Sequence, residues 1–251
     1  MKYKLLVFDL DDTLLRSDKT ISDVSADAIR RCAQAGIKIA YITARSPRKV
    51  GLFLKDLPCD ALALYNGALI YIGGDLIGKN VISFSAGMEV IKKVLVRYPK
   101  TGCGIYLEPY SYLKGSLKNI ATGEIVPCAP EQLPECDIQR IRLIFDEYDS
   151  YDIFDCIGPE MNLFPSPNAA LITHKDADKL NALRKITGKL GIDLKQTIAF
   201  GDSDIDVEML KGAGIGVAVE NALPEAKAAA DEICDTNDND GVAKWVIKNL
   251  L

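Results

Sequence analysis

Histidine is almost missing from this sequence: His174 is the single one in 251 residues, which leaves no imidazole set for a zinc site. Cysteine does not fill the gap. The seven cysteines, at positions 32, 59, 103, 128, 136, 156 and 234, form an odd set without a C-x-x-C pair. Neither a metal ribbon nor a disulfide framework is expected, and the thiols read as reduced and structural. No stretch reaches the roughly 18 consecutive apolar residues that a membrane helix needs. The first apolar run, Leu5 to Phe8, is too short for a signal-peptide core and ends at once in acids, so a cytoplasmic location without membrane partners is the expectation. Basic residues are not in excess either: 30 Lys and Arg against 35 Asp and Glu give a net charge of −5. No basic stripe marks a nucleic-acid partner. A small-molecule partner remains, with the protein as a monomer or small homo-oligomer.

What is present is a rhythm. Short β-branched runs alternate with helical patterns at both ends of the chain: Lys4 to Phe8, a helix over Ser22 to Gln34, Ile37 to Ile42 and a helix from Pro47. The tail repeats it with a helix over Ala182 to Leu190, a strand Thr197 to Phe200, a helix Val207 to Lys211 and a strand Ile215 to Val219. Such alternation predicts an α/β fold with a Rossmann-like, doubly wound parallel sheet. Between Val81 and about Thr173 the texture changes to scattered helix candidates and short apolar stretches with most of the prolines. This predicts an inserted α+β domain over 82–173, with a discontinuous core of 1–81 and 174–251.

The first strand runs into Asp9-Leu10-Asp11-Asp12-Thr13. Residues two apart in extended chain share a face, so Asp9 and Asp11 project together, at the carboxyl end of a parallel strand where open α/β sheets bind ligands. A calcium loop started at Asp9 would need Gly where Leu14 stands and Glu where Thr20 stands, and neither is there. A second decoy, Gly73-Gly74-Asp75-Leu76-Ile77-Gly78-Lys79-Asn80, is one residue short of a phosphate-binding loop. Asn80 lacks the metal-binding hydroxyl, and Val81-Ile82 reads as continuing strand where a helix is required. A hairpin turn is the expectation.

A second strand, Thr197 to Phe200, ends in Gly201-Asp202-Ser203-Asp204-Ile205-Asp206. If both acidic ends meet, each pair of charges about 5 Å apart repels by roughly 3 kcal/mol at an effective dielectric near 20, so a cation is expected among Asp9, Asp11, Asp202 and Asp206. Hard oxygen donors with room for phosphate and water suit Mg²⁺. The local alternative is that Asp202 or Ser203 merely caps the helix running to Lys211.

Order and spacing of these residues resemble the motifs of haloacid-dehalogenase-type phosphatases over nearly the whole chain. Asp9, Asp11 and Thr13 match the D-x-D-x-T motif; Thr43 in Tyr41-Ile42-Thr43-Ala44-Arg45 matches the second; Lys179 matches the third, with Lys175 as rival; Gly201-Asp202 with Asp206 match the fourth. The long stretch between Thr43 and Lys179 is similar to the α/β cap of the Cof-type subfamily, as are Asn66-Gly67-Ala68 and Asp240-Gly241-Val242-Ala243. The chain departs from it with Ala44 where Gly is common and Ile205 where Asn is common.

The resemblance implies hydrolysis of a small phosphate ester such as a sugar phosphate. Asp9 would be the nucleophile, and Asp11 the acid and base, raised in pKa by its crowded neighbours. The metal would be held by Asp9, the Asp11 carbonyl, Asp202 and Asp206. Thr43, Ala44, Arg45, Asn66 and Lys179 would bind phosphate or substrate, and 82–173 would act as a lid. Asn66-Gly67 fits a tight hairpin turn equally well, and His174 reads as a hinge or surface residue. A phosphomutase and a non-catalytic Mg²⁺ or phospho-ligand module are the alternatives.

Overall fold

The computed structural model describes residues 2–113, 115–119, 122–129 and 132–251. The chain divides into two compact units, Met1–Lys79 with Asp178–Leu251, and Asn80–Ala177. The edges expected from composition lie at 82 and 173; the inserted unit is longer by a few residues at each end.

The first unit opens with β1 (Leu5–Phe8), whose four apolar side chains are all fully buried. A fully buried strand is what a parallel sheet covered by helices requires. Helix α1 (Asp23–Gln34) follows, started by Ser22, whose hydroxyl accepts from the Ser25 N–H at 3.0 Å. Then come β2 (Lys38–Ile42), α2 (Pro47–Leu54), β3 (Ala61–Leu64), β4 (Leu69–Ile72) and β5 (Asp75–Lys79). Gly73 and Gly74 turn the chain between β4 and β5 with φ of 58° and 92°, a backbone that glycine adopts without steric cost. The glycine-rich decoy is thus a hairpin turn. Its expected strand continuation at Val81-Ile82 is absent: Ile82 makes a single bridge to Ile138, and Ser83 already caps the next helix.

The inserted unit holds α3 (Phe84–Arg97), β6 (Gly102–Leu107), β7 (Tyr110–Leu113), β8 (Ser116–Asn119), β9 (Ile125–Pro127), β10 (Arg140–Ile144), β11 (Met161–Ser166) and β12 (Ala169–His174). Its strands form a sheet in the order β11-β12-β10-β6-β7-β8-β9, antiparallel at every pairing. One face is closed by α3. Val90, Ile91 and Val94 join Ile105, Ile141, Leu143 and Ile172 in a single apolar core.

The chain returns to the first unit through α4 (Lys179–Leu190), β13 (Thr197–Gly201), α5 (Val207–Gly212), β14 (Ile215–Val219), α6 (Pro224–Ala229), β15 (Glu232–Cys234) and α7 (Gly241–Leu250). Sheet order is β15-β14-β13-β1-β2-β3-β4-β5. Pairings from β15 to β3 are parallel, and β4 and β5 are added antiparallel. The alternating pattern is thereby realised as an α/β, Rossmann-like core. Phe8 stacks on Phe200 at 5.2 Å between centroids, a contact that fixes the central strands β1 and β13 side by side. All seven cysteines are unpaired and five are buried. No helix among the described residues is long and apolar enough to cross a membrane.

Candidate active site

Register brings the two acidic strand ends together. Phe8 pairs with Phe200 in the parallel β1–β13 ladder, and the Asp9 N–H donates to the Phe200 carbonyl at 3.0 Å. The residues that follow, Asp9 on one strand and Gly201-Asp202 on the other, therefore emerge at the same edge of the sheet. Beyond Asp9 the chain makes a wide turn over Leu10–Leu14, closed by the Leu15 N–H on the Leu10 carbonyl at 2.8 Å, with Asp12 at φ 58°. That turn delivers the Thr13 hydroxyl to Asp202 Oδ1 at 2.7 Å.

Asp206 is held by its own loop. Its Oδ2 accepts from the Ser203 hydroxyl at 2.7 Å and from the Ser203 and Asp202 N–H groups at 3.1 and 3.3 Å. Ser203 and Asp206 cap the Asp204–Asp206 turn reciprocally, so of the two expected caps it is Ser203 that serves. Gly201 makes this packing feasible, since a Cβ there would stand 2.6 Å from the Asp206 Cβ. Ile205, on the same turn, is 37% exposed.

Lys179 reaches the cluster because of where it sits on α4. The buried residues of that helix are Lys179, Ala182, Leu183, Ile186 and Thr187, the three- and four-residue spacing of one helical face, so the lysine stands on the stripe turned to the core. Its Nζ lies 2.6 Å from Asp9 Oδ1 and 2.6 Å from Asp206 Oδ1. Only 1% of the Lys179 side chain is exposed. Lys175, the rival, belongs to the inserted unit, where it pairs with Glu160 at 2.9 Å in the open. His174 ends β12 with Nδ1 accepting from the Asp176 N–H at 3.1 Å.

The electrostatics follow from this packing. Burial pushes the Asp9 carboxyl up to about 8, with Lys179 pulling it down and Asp206 pushing it further up. Burial likewise raises Asp202 to about 6, against the hydrogen bond from Thr13. Burial disfavours the Lys179 ammonium, but the Asp9 and Asp206 carboxylates more than offset this and its pKa is raised. The repulsion anticipated among the acids is thus met in part by an internal cation.

Asp11 departs from expectation. Its carboxylate is gripped by Arg45, with Nε on Oδ2 at 2.6 Å and Nη2 on Oδ1 at 2.5 Å, and that bidentate pair holds its pKa below the usual carboxylate range. The expected upward shift from crowding is overturned because a guanidinium fork, not a second carboxylate, is its nearest neighbour. Thr43 is fully buried just past β2; its N–H donates to Ala63 and its hydroxyl accepts from the Arg45 N–H at 3.2 Å. The Asn66 N–H donates to the Thr43 carbonyl at 2.8 Å, with Asn66 at φ 59° in the turn between β3 and β4. Its Oδ1 is buried without a hydrogen-bond partner. Ala44 lies between Thr43 and Arg45 in this loop, at the same strand-end edge.

Asp9, Asp202 and Asp206 each offer a carboxylate oxygen within 4.8 Å of the others, a group that could hold a metal ion. The donor set is all oxygen, which fits a hard divalent cation. Asp9 Oδ1 is engaged by Lys179, Asp202 Oδ1 by Thr13, and both Asp206 oxygens by Lys179 and the loop. The second oxygens of Asp9 and Asp202 are the ones left for direct ligation, with Asp206 placed to orient the loop.

The family model of haloacid dehalogenase-like hydrolases matches residues 6–246. The chain belongs to this family. It is a phosphatase-type hydrolase of the Cof kind by its relatives. The 5-amino-6-(5-phospho-D-ribitylamino)uracil phosphatase YwtE of Bacillus subtilis is 26% identical, with 97% of this chain and 96% of that protein covered. A haloalkanoate-superfamily phosphatase of Bacteroides thetaiotaomicron superposes with a TM-score of 0.81 at 25% identity, over 98% of this chain and 94% of that one. A subclass IIB sugar phosphatase superposes at 0.79 over 98% of each chain; at 24% identity that likeness concerns the fold alone. Against the sequence reading of this haloacid dehalogenase-like hydrolase, three contacts are new: Lys179 to Asp206, Thr13 to Asp202 and Arg45 to Asp11. Motif spacing names these residues but not their pairings, which the β1–β13 register and the buried stripe of α4 create.

Proposed function

We propose that the protein is a Mg²⁺-dependent phosphatase of a small phosphorylated metabolite, a sugar phosphate or similar ester, working through an aspartyl phosphate on Asp9. The observation that carries this reading is the buried Asp9–Lys179–Asp206 bridge beside Asp202. A carboxylate stripped of water and held in one geometry by a fixed cation is a competent oxygen nucleophile.

Asp9 attacks phosphorus; an oxygen–phosphorus bond forms as the bond to the leaving alcohol oxygen breaks. Asp11 gives that oxygen its proton and then takes one from the water that hydrolyses the aspartyl phosphate. Because Arg45 holds Asp11 as carboxylate, the acid role calls for the guanidinium to move from Asp11 to the arriving phosphate, after which Asp11 takes from solvent the proton that it gives to the leaving oxygen. Lys179 keeps Asp9 oriented and offsets charge on the phosphate. Thr43, Ala44 and Asn66 are proposed to contact phosphate or substrate, and residues 82–173 to select the leaving group. Mg²⁺ would be held by Asp9, the Asp11 carbonyl and Asp202, with Asp206 steadying the shell, and would supply the positive charge that lets one anion approach another.

The test is hydrolysis of a chromogenic aryl phosphate by the full chain with and without Mg²⁺. Turnover that needs the ion and disappears in Asp9→Asn, with folding intact by circular dichroism, supports the reading. Turnover indifferent to Mg²⁺, or full activity in Asp9→Asn, refutes it.

A further inference from the structure

The face of the inserted sheet opposite α3 carries a feature that phosphoryl transfer on Asp9 does not use. Along β10, Ile141 and Leu143 are fully buried in the α3 core, so the alternate residues Arg140 and Arg142 point to the other face. Both guanidinium groups give that face a positive charge, which favours an anion over a neutral ligand. Together with Phe164, Ser166 and Leu171 they line a cavity of about 250 Å³. Among the described residues no acidic side chain lines it, and Arg142 has no carboxylate partner. Arg140 is stacked over the Tyr106 ring, 4.2 Å from its centroid, which fixes its plane. Beside Arg142 the neighbouring strand presents Gly104, paired to it in register. A Cβ on Gly104 would touch Arg142 Cβ at 3.8 Å and Leu113 at 3.5 Å, so the bare glycine leaves floor space next to the guanidinium. Phe164 is 44% exposed at the opposite side.

We infer that this cavity is a recognition site for an anionic group, a carboxylate or phosphate, borne on a planar or apolar body. The guanidinium of Arg142 supplies paired N–H donors to the anion, Arg140 adds charge, and Phe164 with Leu171 covers the apolar part. The anion can belong to the ester that Asp9 attacks or to a separate ligand.

Two arms on the full chain test the site and distinguish the sources. In the first, arginine Nε–H signals are followed by ¹H–¹⁵N NMR during titration with benzoate and with neutral benzamide. Saturable shifts of Arg142 with benzoate alone, lost in Arg142→Gln and reduced in Arg142→Lys, support the inference whether or not any ester is hydrolysed. Equal responses to both probes, or none, overturn it. In the second arm, 4-carboxyphenyl phosphate is compared with its neutral 4-carbamoylphenyl analogue. If the anion is part of the substrate, kcat/KM favours the carboxylate about tenfold or more, as expected for a charge-assisted pair, and Arg142→Gln lowers that ratio. If it is a separate ligand, the two esters are alike and benzoate changes the rate on phenyl phosphate. Loss of all turnover with benzoate binding intact would count against the phosphatase reading and leave this one standing.

Discussion

Replacing Lys179 by Met tests the centre of the site, because the substitution keeps volume and removes only the charge. In the folded protein the ammonium is the shared partner of two buried carboxylates, 2.6 Å from each. Breaking a buried pair from one side costs about 3–5 kcal/mol, since the remaining charge stays out of water. Here two acids are stranded, so the upper part of that range applies when both are ionised. At about 2–4 °C per kcal/mol for a chain of this size, the melting temperature should fall by roughly 10 °C or more at pH 8 without divalent ions. The pH dependence has a definite sign. With Lys179 gone, Asp9, whose carboxyl burial already raises, takes up a proton in the folded state at pH values where the unfolded chain has lost it. The deficit should therefore shrink as pH drops to 5.5 and shrink again when Mg²⁺ is added. Thermal melts of wild type and Lys179→Met at both pH values read this directly, with Lys175→Met as control; its pair with Glu160 is in the open, so no comparable fall is expected. A deficit that is absent at pH 8, or identical at both pH values, would refute the argument that the lysine is there to neutralise buried carboxylates.

Two further outcomes follow from the same geometry. Arg45→Met removes both hydrogen bonds to Asp11, so the Asp11 pKa should rise back toward the ordinary carboxylate range, seen by ¹³C NMR of its carboxyl; an unmoved titration would show the fork to be idle. Asp202 titrates near 6 in the fold because of its burial. Between its ordinary value and that point the folded state holds the extra proton, so Asp202 should cost the divalent-free protein about 1–2 kcal/mol as pH rises through this window, after discounting for the solvent that reaches it, on top of the loss from Asp9, whose carboxyl is raised further. Saturating Mg²⁺ should abolish that slope, and urea melts across pH 4 to 7 with and without the ion measure it.

Much of the architecture is written locally. The alternation of β-branched runs with amphipathic helices specifies an α/β sheet because each element must bury one face, and both acidic clusters follow strands whose every apolar side chain is internal. Tight turns are legible for the same reason: Gly73-Gly74 and Asn66-Gly67 occupy left-handed backbone that few other residues tolerate. Local signals mislead at Val81-Ile82, where β-branched residues suggest strand and the capping serine that follows begins a helix instead. They also mislead at Asp11, whose acidic neighbours in sequence promise a raised pKa.

The sequence by itself determines an α/β fold with acids at two strand ends, since periodicity and residue type act over a few positions at a time, and the resemblance of its motif order implies phosphate-ester hydrolysis. The tertiary structure alone decides which charges touch. Arg45 reaches Asp11 across 34 positions, Lys179 reaches Asp206 across 27, and Thr13 reaches Asp202 across 189. Sequence separation says nothing of such distances. Strand register and the turn of one helix fix them, and the strength of an ion pair depends on that separation and on the water excluded around it.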